Sequence, residues 1–205
     1  CVTDCPVNIL VIGAEPPHII EGCEEHCIGC QHCLAICPTG AISVAGGAPE
    51  LTLEIAPGSW PGPEQMEHLV KGRRSIRRYL DDNCDPQLID RLLNTACHAP
   101  TARNSRLVQF HLIDDRQVMD RFRRRVMDGL SELISAEAIP EEYGFLEPVV
   151  SGWQEYQADP IFRWAPHLLV ASAPQSSSSA LHDTLIALSY FELLAQSSGI
   201  GTLWN

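Results

Sequence analysis

Helical and extended periodicities divide the chain unevenly. From Glu64 the apolar positions take helical spacing. Met66, Leu69 and Val70 follow i, i+3, i+4 and predict one helix. Pro86 stands at a favoured first-turn position of a second helix, whose apolar stripe is Leu88, Ile89, Leu92, Leu93 and Ala96. Residues 107–113 (LVQFHLI) alternate in part and predict a strand. Residues 116–136 predict a charged amphipathic helix, 143–164 an irregular stretch, and 167–173 a buried strand. Residues 180–198 are apolar on nearly all sides, which predicts a central buried helix or a subunit interface, ended by Gly199 and Gly201.

Upstream the pattern breaks into short apolar runs between cysteine clusters. Residues 8–12 and 18–20 predict a hairpin turning at 15–17, and 41–44 another short strand. Residues 45–63 are rich in glycine and proline and read as a linker with one possible strand at 51–55. The resulting organisation is a small cysteine-rich domain at 1–44, a linker at 45–63, and a domain at 64–205. Helices separated by isolated strands predict an α/β or α+β architecture, and the assignment is α+β. No internal repeat is evident in the domain at 64–205.

Composition narrows the classes. The 205 residues fit one or two domains, and 45% hydrophobic content is enough for a core. The net charge is 14 − 26 = −12, so the overall field does not attract nucleic acid. The basic residues cluster, with four arginines between Arg73 and Arg78 and three more at positions 123–125, which leaves a local anion site open. The longest apolar region, near 180–195, is broken by His182, Asp183 and Glu192 and does not read as a membrane span.

Seven of the nine cysteines fall in the first 37 residues. CIGCQHCLAICP sets Cys27, Cys30, Cys33 and Cys37 at C-x2-C-x2-C-x3-C-P, the bacterial ferredoxin spacing. Three thiolates in one tight loop reach three irons of a cubane, and a distant C-P supplies the fourth. Cys5-Pro6 is such a cysteine, so Cys5, Cys27, Cys30 and Cys33 make one complete [4Fe–4S] site. Cys37 then serves a second cluster together with Cys1, whose remaining two ligands are expected upstream of residue 1. A zinc ribbon prefers two separate C-x2-C knuckles, and nothing supports a secreted disulfide framework. Cys23 reads as an apolar filler or a substitute ligand. Cys84 and Cys97 read as ordinary core or surface thiols. His26 and His32 read as neighbours of the ligands, and His111 and His167 as satisfied core histidines.

Three further landmarks follow in order. RRSIRRY, residues 73–79, offers forked cations and a hydroxyl suited to a phosphate, although a charge run alone is usually a solvated face. APTARNSRLVQF, residues 99–110, holds Pro100, Thr101 and Asn104, and an asparagine can give a planar heterocycle both donor and acceptor. SGIGTLW, residues 198–204, would let backbone approach a flat ligand. As a set, these segments resemble the nitroreductase family over residues 64–205. The amino-terminal part resembles two-cluster bacterial ferredoxins, and the whole is similar to ferredoxin–nitroreductase fusions of anaerobes.

The resemblance implies FMN at the interface of an intertwined homodimer, in the cytoplasm, with no membrane or nucleic-acid partner. It places Arg73, Arg74, Ser75 and Arg77 on the ribityl phosphate. Asn104 would face the isoalloxazine, Pro100 and Thr101 would line its approach, and Gly199, Gly201 and Thr202 would bring backbone near the ring. Flavin N5 carries the chemistry, so no side chain is assigned a catalytic role, and no Ser/His/Asp triad is seen. Two positions depart from the family pattern: Ala102 where glycine is common and Arg106 where glutamine is common. Arg106 would set a positive charge near the pyrimidine edge and raise the flavin potential. Family members continue past the GTLW turn, so the sequence reads as cut at both ends.

The implied function moves electrons from a low-potential donor (ferredoxin or NAD(P)H) through [4Fe–4S] to FMN. The acceptor would be a small molecule: a nitroaromatic, a quinone or an activated alkene. No GxGxxG site for a dinucleotide is present. The alternative is an electron-transfer module serving a protein partner. A cobamide-related or dehalogenating branch of the same fold is a third reading.

Overall fold

The computed structural model describes residues 1–13 and 16–205. The expected hairpin turn at 15–17 begins on Glu15, which lies outside the described residues. The chain divides into two compact units. One comprises Cys1–Gly62 together with the turn Thr101–Arg106, and the other Pro63–Pro100 with Leu107–Asn205.

In the first unit β1 (Leu10–Val11) pairs antiparallel with β2 (His18–Ile19), Leu10 opposite Ile19. The helix α1 (His32–Ala35) follows the cysteine loop. Ile9 and Leu34, each 5% exposed, are its buried apolar side chains. The strand expected at 41–44 is reduced to an isolated bridge between Val44 and Gly47. The strand expected at 51–55 is not formed either. Pro49–Leu51 is a 3-10 turn, and Leu51, Leu53 and Ile55 are exposed. The alternation LTLEI finds no partner strand, and an unpaired strand gains neither ladder bonds nor a buried face.

The second unit is an α+β arrangement of five helices and a two-stranded sheet among the described residues. In chain order these are α2 (Pro63–Gly72), α3 (Pro86–Ala96), β3 (Gln109–Ile113), α4 (Arg116–Ser135), α5 (Leu146–Tyr156), β4 (Leu168–Ser172) and α6 (Ala180–Ser197). The Asp85 carboxylate accepts the Gln87 amide and Pro86 opens α3; Asp115 accepts the Val118 amide at the start of α4. β3 and β4 are antiparallel, from Gln109 opposite Ser172 to Ile113 opposite Leu168. β4 is not the fully buried strand expected: Val170 is 46% exposed.

α6 packs on α3, α2 and β4, and α4 packs on α5 and β3. The core is Ile89, Leu92 and Ala96 from α3, Met119 and Met127 from α4, Val150 from α5, and Ala187 and Ala195 from α6. Burying one leucine-sized side chain contributes roughly 1.5–3 kcal/mol. α6 ends as expected. Gly199 takes a positive φ of 76°, Ile200 N donates to Ala195 O and Gly199 N to Gln196 O, closing a Schellman motif. No helix among the described residues is long and apolar enough to cross a membrane.

Two expectations fail here for physical reasons. The stretch 143–164 is not irregular, because α5 occupies its middle. Pro148 sits in the first turn, where its missing N–H costs nothing, and Val150 docks into the core. The arginine run at 123–125 does not offer all three cations to an anion. Arg123 is 1% exposed and is an internal strut. Its Nε donates to Asp159 Oδ2 at 2.8 Å, its Nη2 to Ala165 O at 2.7 Å, and its Nη1 to Asp120. Its guanidinium lies 4.9 Å from the Trp164 ring centre.

Candidate functional site

The cysteine loop is built on left-handed backbone. Gly29 and Gln31 have φ of 63° and 60°. A Cβ on Gly29 would come within 3.1 Å of Ala45 Cβ, so a side chain there meets both strain and crowding. Leu34 anchors the loop below, and Ala35, Ile36 and Cys37 donate their amides back to Gln31, His32 and Leu34. All nine cysteines are free; Cys1, Cys5, Cys23, Cys30, Cys33 and Cys37 are half-buried and Cys27 exposed.

The two C-P cysteines share one local design beyond their common spacing. Three residues after Cys5, Asn8 has φ 53° and donates its amide to Cys5 O at 3.1 Å. Three residues after Cys37, Gly40 has φ 61° and donates to Cys37 O at 3.2 Å. Each turn aims amides at the sulfur. Cys37 Sγ accepts from Ala41 N at 3.3 Å. The Thr39 hydroxyl, then the amides of Ala41, Thr39 and Gly40, bring the Cys37 thiol down to about 7 against opposing burial. At Cys5 burial pushes up, but the amides of Ile9, Val7, Asn8 and Leu10 outweigh it and hold the thiol below its usual range. Donors that stabilise a thiolate are what a cluster ligand needs. The legible signal was C-P followed at +3 by a residue tolerant of positive φ.

Among the described residues no three Cys, His, Asp or Glu side chains converge as ligands of a single ion. A cubane asks for something different, one thiolate on each of four irons. The amide-rich sulfur environments fit that group.

The turn Thr101–Arg106 belongs to the same unit. Arg103, Asn104 and Arg106 have φ of 54°, 53° and 50°, whereas Ala102 does not have positive φ. Alanine in place of the family's glycine therefore costs no strain here. Thr101 accepts twice, its carbonyl from Asn104 N and its hydroxyl from Arg106 N, both at 3.0 Å. The Asn104 side chain donates to Ile28 O at 3.0 Å, inside the cysteine loop.

In the second unit the phosphate-type segment and the glycine turn meet. Ile76 N donates to Thr202 O at 2.9 Å. A Cβ on Gly201 would lie 2.6 Å from Ile76 Cγ1, so only glycine permits this approach. Arg73 Nη1 donates to Glu192 Oε1 at 3.0 Å, and Thr202 Oγ1 reaches the same oxygen at 3.4 Å. Arg74 folds back onto the carbonyls of Lys71 and Arg73. Ser75 is half-buried; Arg77 and Pro100 are exposed. Each guanidinium has five donors, so these bonds leave N–H groups for an anion. The cationic segment against a close-packed backbone turn fits a flavin phosphate and ring. Glu192 was missed as a site residue. Its signal was a carboxylate in an otherwise apolar helix.

Two smaller expectations change. His111 is exposed, with Nε2 on Ser172 Oγ at 2.8 Å, and is not a core histidine. His167 is half-buried and its Nε2 accepts the Cys84 amide at 2.8 Å.

Comparison with known proteins gives a matching assignment for both units. The nitroreductase family profile matches residues 70–205, and the 4Fe-4S binding domain profile matches residues 24–43. A curated relative, hydrogenase-4 component A of Escherichia coli (strain K12), is 41% identical over 49 residues; that match spans 24% of this chain and 22% of the relative. Among solved structures, a nitroreductase with bound FMN from Bacteroides fragilis NCTC 9343 aligns with a TM-score of 0.55 at 18% identity, covering 68% of each chain. An FMN-dependent nitroreductase from Clostridium difficile R20291 aligns at 0.52 with 23% identity, covering 68% of this chain and 59% of the other. The structural likenesses carry the fold; the family profiles carry the cofactor classes, FMN and [4Fe–4S].

Proposed function

Because the chain belongs to the nitroreductase family of FMN-dependent oxidoreductases and carries a 4Fe-4S binding domain, we propose that it moves electrons from a low-potential donor through [4Fe–4S] to FMN and on to a small organic acceptor. When bound, the cluster supplies single-electron transfer and the flavin two-electron chemistry. The protein's residues bind, orient and tune.

The observation that carries this reading is the Ile76 N to Thr202 O bond, which joins the two chain segments that family position assigns to the flavin. Arg73, Arg74, Ser75 and Arg77 hold the phosphate, with Glu192 fixing Arg73. Gly199, Gly201 and Thr202 present backbone to the ring. By family position Pro100, Thr101, Asn104 and Arg106 line the ring, Arg106 stabilising negative charge on it. Cys5, Cys27, Cys30 and Cys33 hold one cluster, and Cys1 and Cys37 serve a second. The donor is ferredoxin or NAD(P)H, and the acceptor a nitroaromatic, a quinone or an activated alkene. The active form is a homodimer with FMN at the interface, supported by the exposed apolar side chains Leu181, Leu185, Ile186 and Tyr190 on α6.

The test is anaerobic purification with iron, sulfide and FMN counted per chain, followed by steady-state nitroarene reduction with a low-potential ferredoxin as donor. One FMN, about four irons per cluster and sustained turnover are expected. Bound cofactors without turnover of any small acceptor would favour an electron-transfer module, and absence of FMN would overturn the reading.

A further inference from the structure

The cysteine loop is held from a distant point of the sequence. Asn104 Nδ2 donates to Ile28 O at 3.0 Å, and Ile28 lies between Cys27 and Cys30. The chain on both sides of Thr101–Arg106 belongs to the second unit, yet this turn belongs to the first. The turn spends conformational strain to do so. Three of its non-glycine residues, Arg103, Asn104 and Arg106, stand in the left-handed region, which L side chains disfavour. Asparagine tolerates that region best, and at 104 it also carries the donor.

The bond constrains more than one atom. The Ile28 carbonyl and the Gly29 N–H lie on opposite sides of one planar peptide, so fixing the first fixes the direction of the second. Gly29 sits at φ 63°, close against Ala45, which restricts rotation from the other end. The orientation of amides beside the thiolates is one of the quantities that sets a cluster's reduction potential. The asparagine amide has a second N–H and an acceptor oxygen, so this bond does not exhaust it.

We propose that Asn104 is a positioning residue for the iron–sulfur loop: by holding Ile28 O it fixes the Ile28–Gly29 peptide beside Cys27, Cys30 and Cys33, and so sets the reduction potential of the cluster they hold. A turn inserted in the flavin-binding sequence thereby controls the electron-entry site. This rests on the reading that these cysteines hold a [4Fe–4S] cluster.

The test compares wild type, Asn104→Ala and Asn104→Asp as anaerobic holoenzymes. Asn104→Asp keeps the shape and the tolerance of positive φ but exchanges the donor for a charged acceptor, whereas Asn104→Ala removes the donor without adding charge, so a change common to both reports the lost bond. Cluster potential and spectrum are read by EPR-monitored redox titration, flavin by absorbance, and the loop by hydrogen exchange of the peptide spanning 27–33. In both variants the cluster potential shifts and its EPR lines broaden, and loop exchange accelerates about fivefold, the equivalent of one lost hydrogen bond. Loss of iron from Asn104→Ala, whatever its flavin content, also supports the proposal. Unchanged cluster potential, spectrum and loop exchange in both variants would overturn it. Absence of cluster iron from the anaerobically purified wild type would instead defeat the iron–sulfur reading itself, an outcome distinct from unchanged cluster properties in the variants.

Discussion

Arg73 and Glu192 form a half-buried ion pair, Nη1 to Oε1 at 3.0 Å, across 119 residues of sequence. The glutamate is 12% exposed and the arginine 32%. The same Glu192 oxygen receives the Thr202 hydroxyl. One carboxylate thus ties the head of the cationic segment and the glycine turn to the central helix.

Glu192→Gln keeps an acceptor and removes the charge, whereas Glu192→Ala removes both and leaves Arg73 without its partner. Glu192→Ala is expected to lower the stability of the second unit by about 1–3 kcal/mol, with Glu192→Gln losing less. Both should release FMN more readily, because Arg73 is no longer held in place. Urea midpoints and FMN retained after gel filtration check this.

Among the described residues Arg123 is the largest fully buried side chain, and the Asp159 side chain opposite it is 0% exposed. The Asp159 carboxylate also accepts the amides of Phe162 and Trp164, both at 2.8 Å, so the pair pins the segment after α5. Arg123→Met alone leaves Asp159 buried and unpaired and is expected to cost about 3–5 kcal/mol. The double variant Arg123→Met with Asp159→Asn should recover part of that loss. A double-mutant cycle in chemical denaturation measures it.

Much of this was legible in the chain. The cubane spacing needs no fold, because three thiolates in a tight loop are local. The RRSIRRY and SGIGTLW segments declared themselves by their charges and glycines. What joins them was not legible: Ile76 to Thr202 is a tertiary bond, and nothing in periodicity pairs residues that far apart. Arg123 was misread because its neighbours Arg124 and Arg125 are exposed, and only the packing of Asp159 and Trp164 separates it from them. α5 was missed because Pro148 and Gly152 signal a break locally, while Val150 and the stacked Trp153–Trp164 pair (5.7 Å) hold the helix through tertiary contact.

His167 gives the fold a pH dependence. Burial pushes its imidazole below the ordinary 6.5, against smaller upward effects of the Ile113 backbone, Asp114 and Asp115. Its Nε2 accepts the Cys84 amide, which requires the neutral ring. The unfolded chain therefore takes up this proton first as the pH falls. The stabilisation is complete above 6.5 and is lost as the pH falls from there through the lowered folded-state value. The slope is below the one-proton ceiling of about 1.4 kcal/mol per pH unit, since the ring is partly solvated. His167→Gln should flatten the change in urea midpoint between about pH 7.5 and about pH 5.5 relative to wild type.

In the proposed path electrons reach the flavin through the cluster. Anaerobic stopped-flow mixing with a reduced low-potential ferredoxin, following flavin absorbance, tests it in wild type and Cys33→Ser. Rapid flavin bleaching is expected in wild type, and slow bleaching in Cys33→Ser even though FMN remains bound. Equal rates in the two proteins, with FMN present in both and cluster iron lost from the variant, would contradict it.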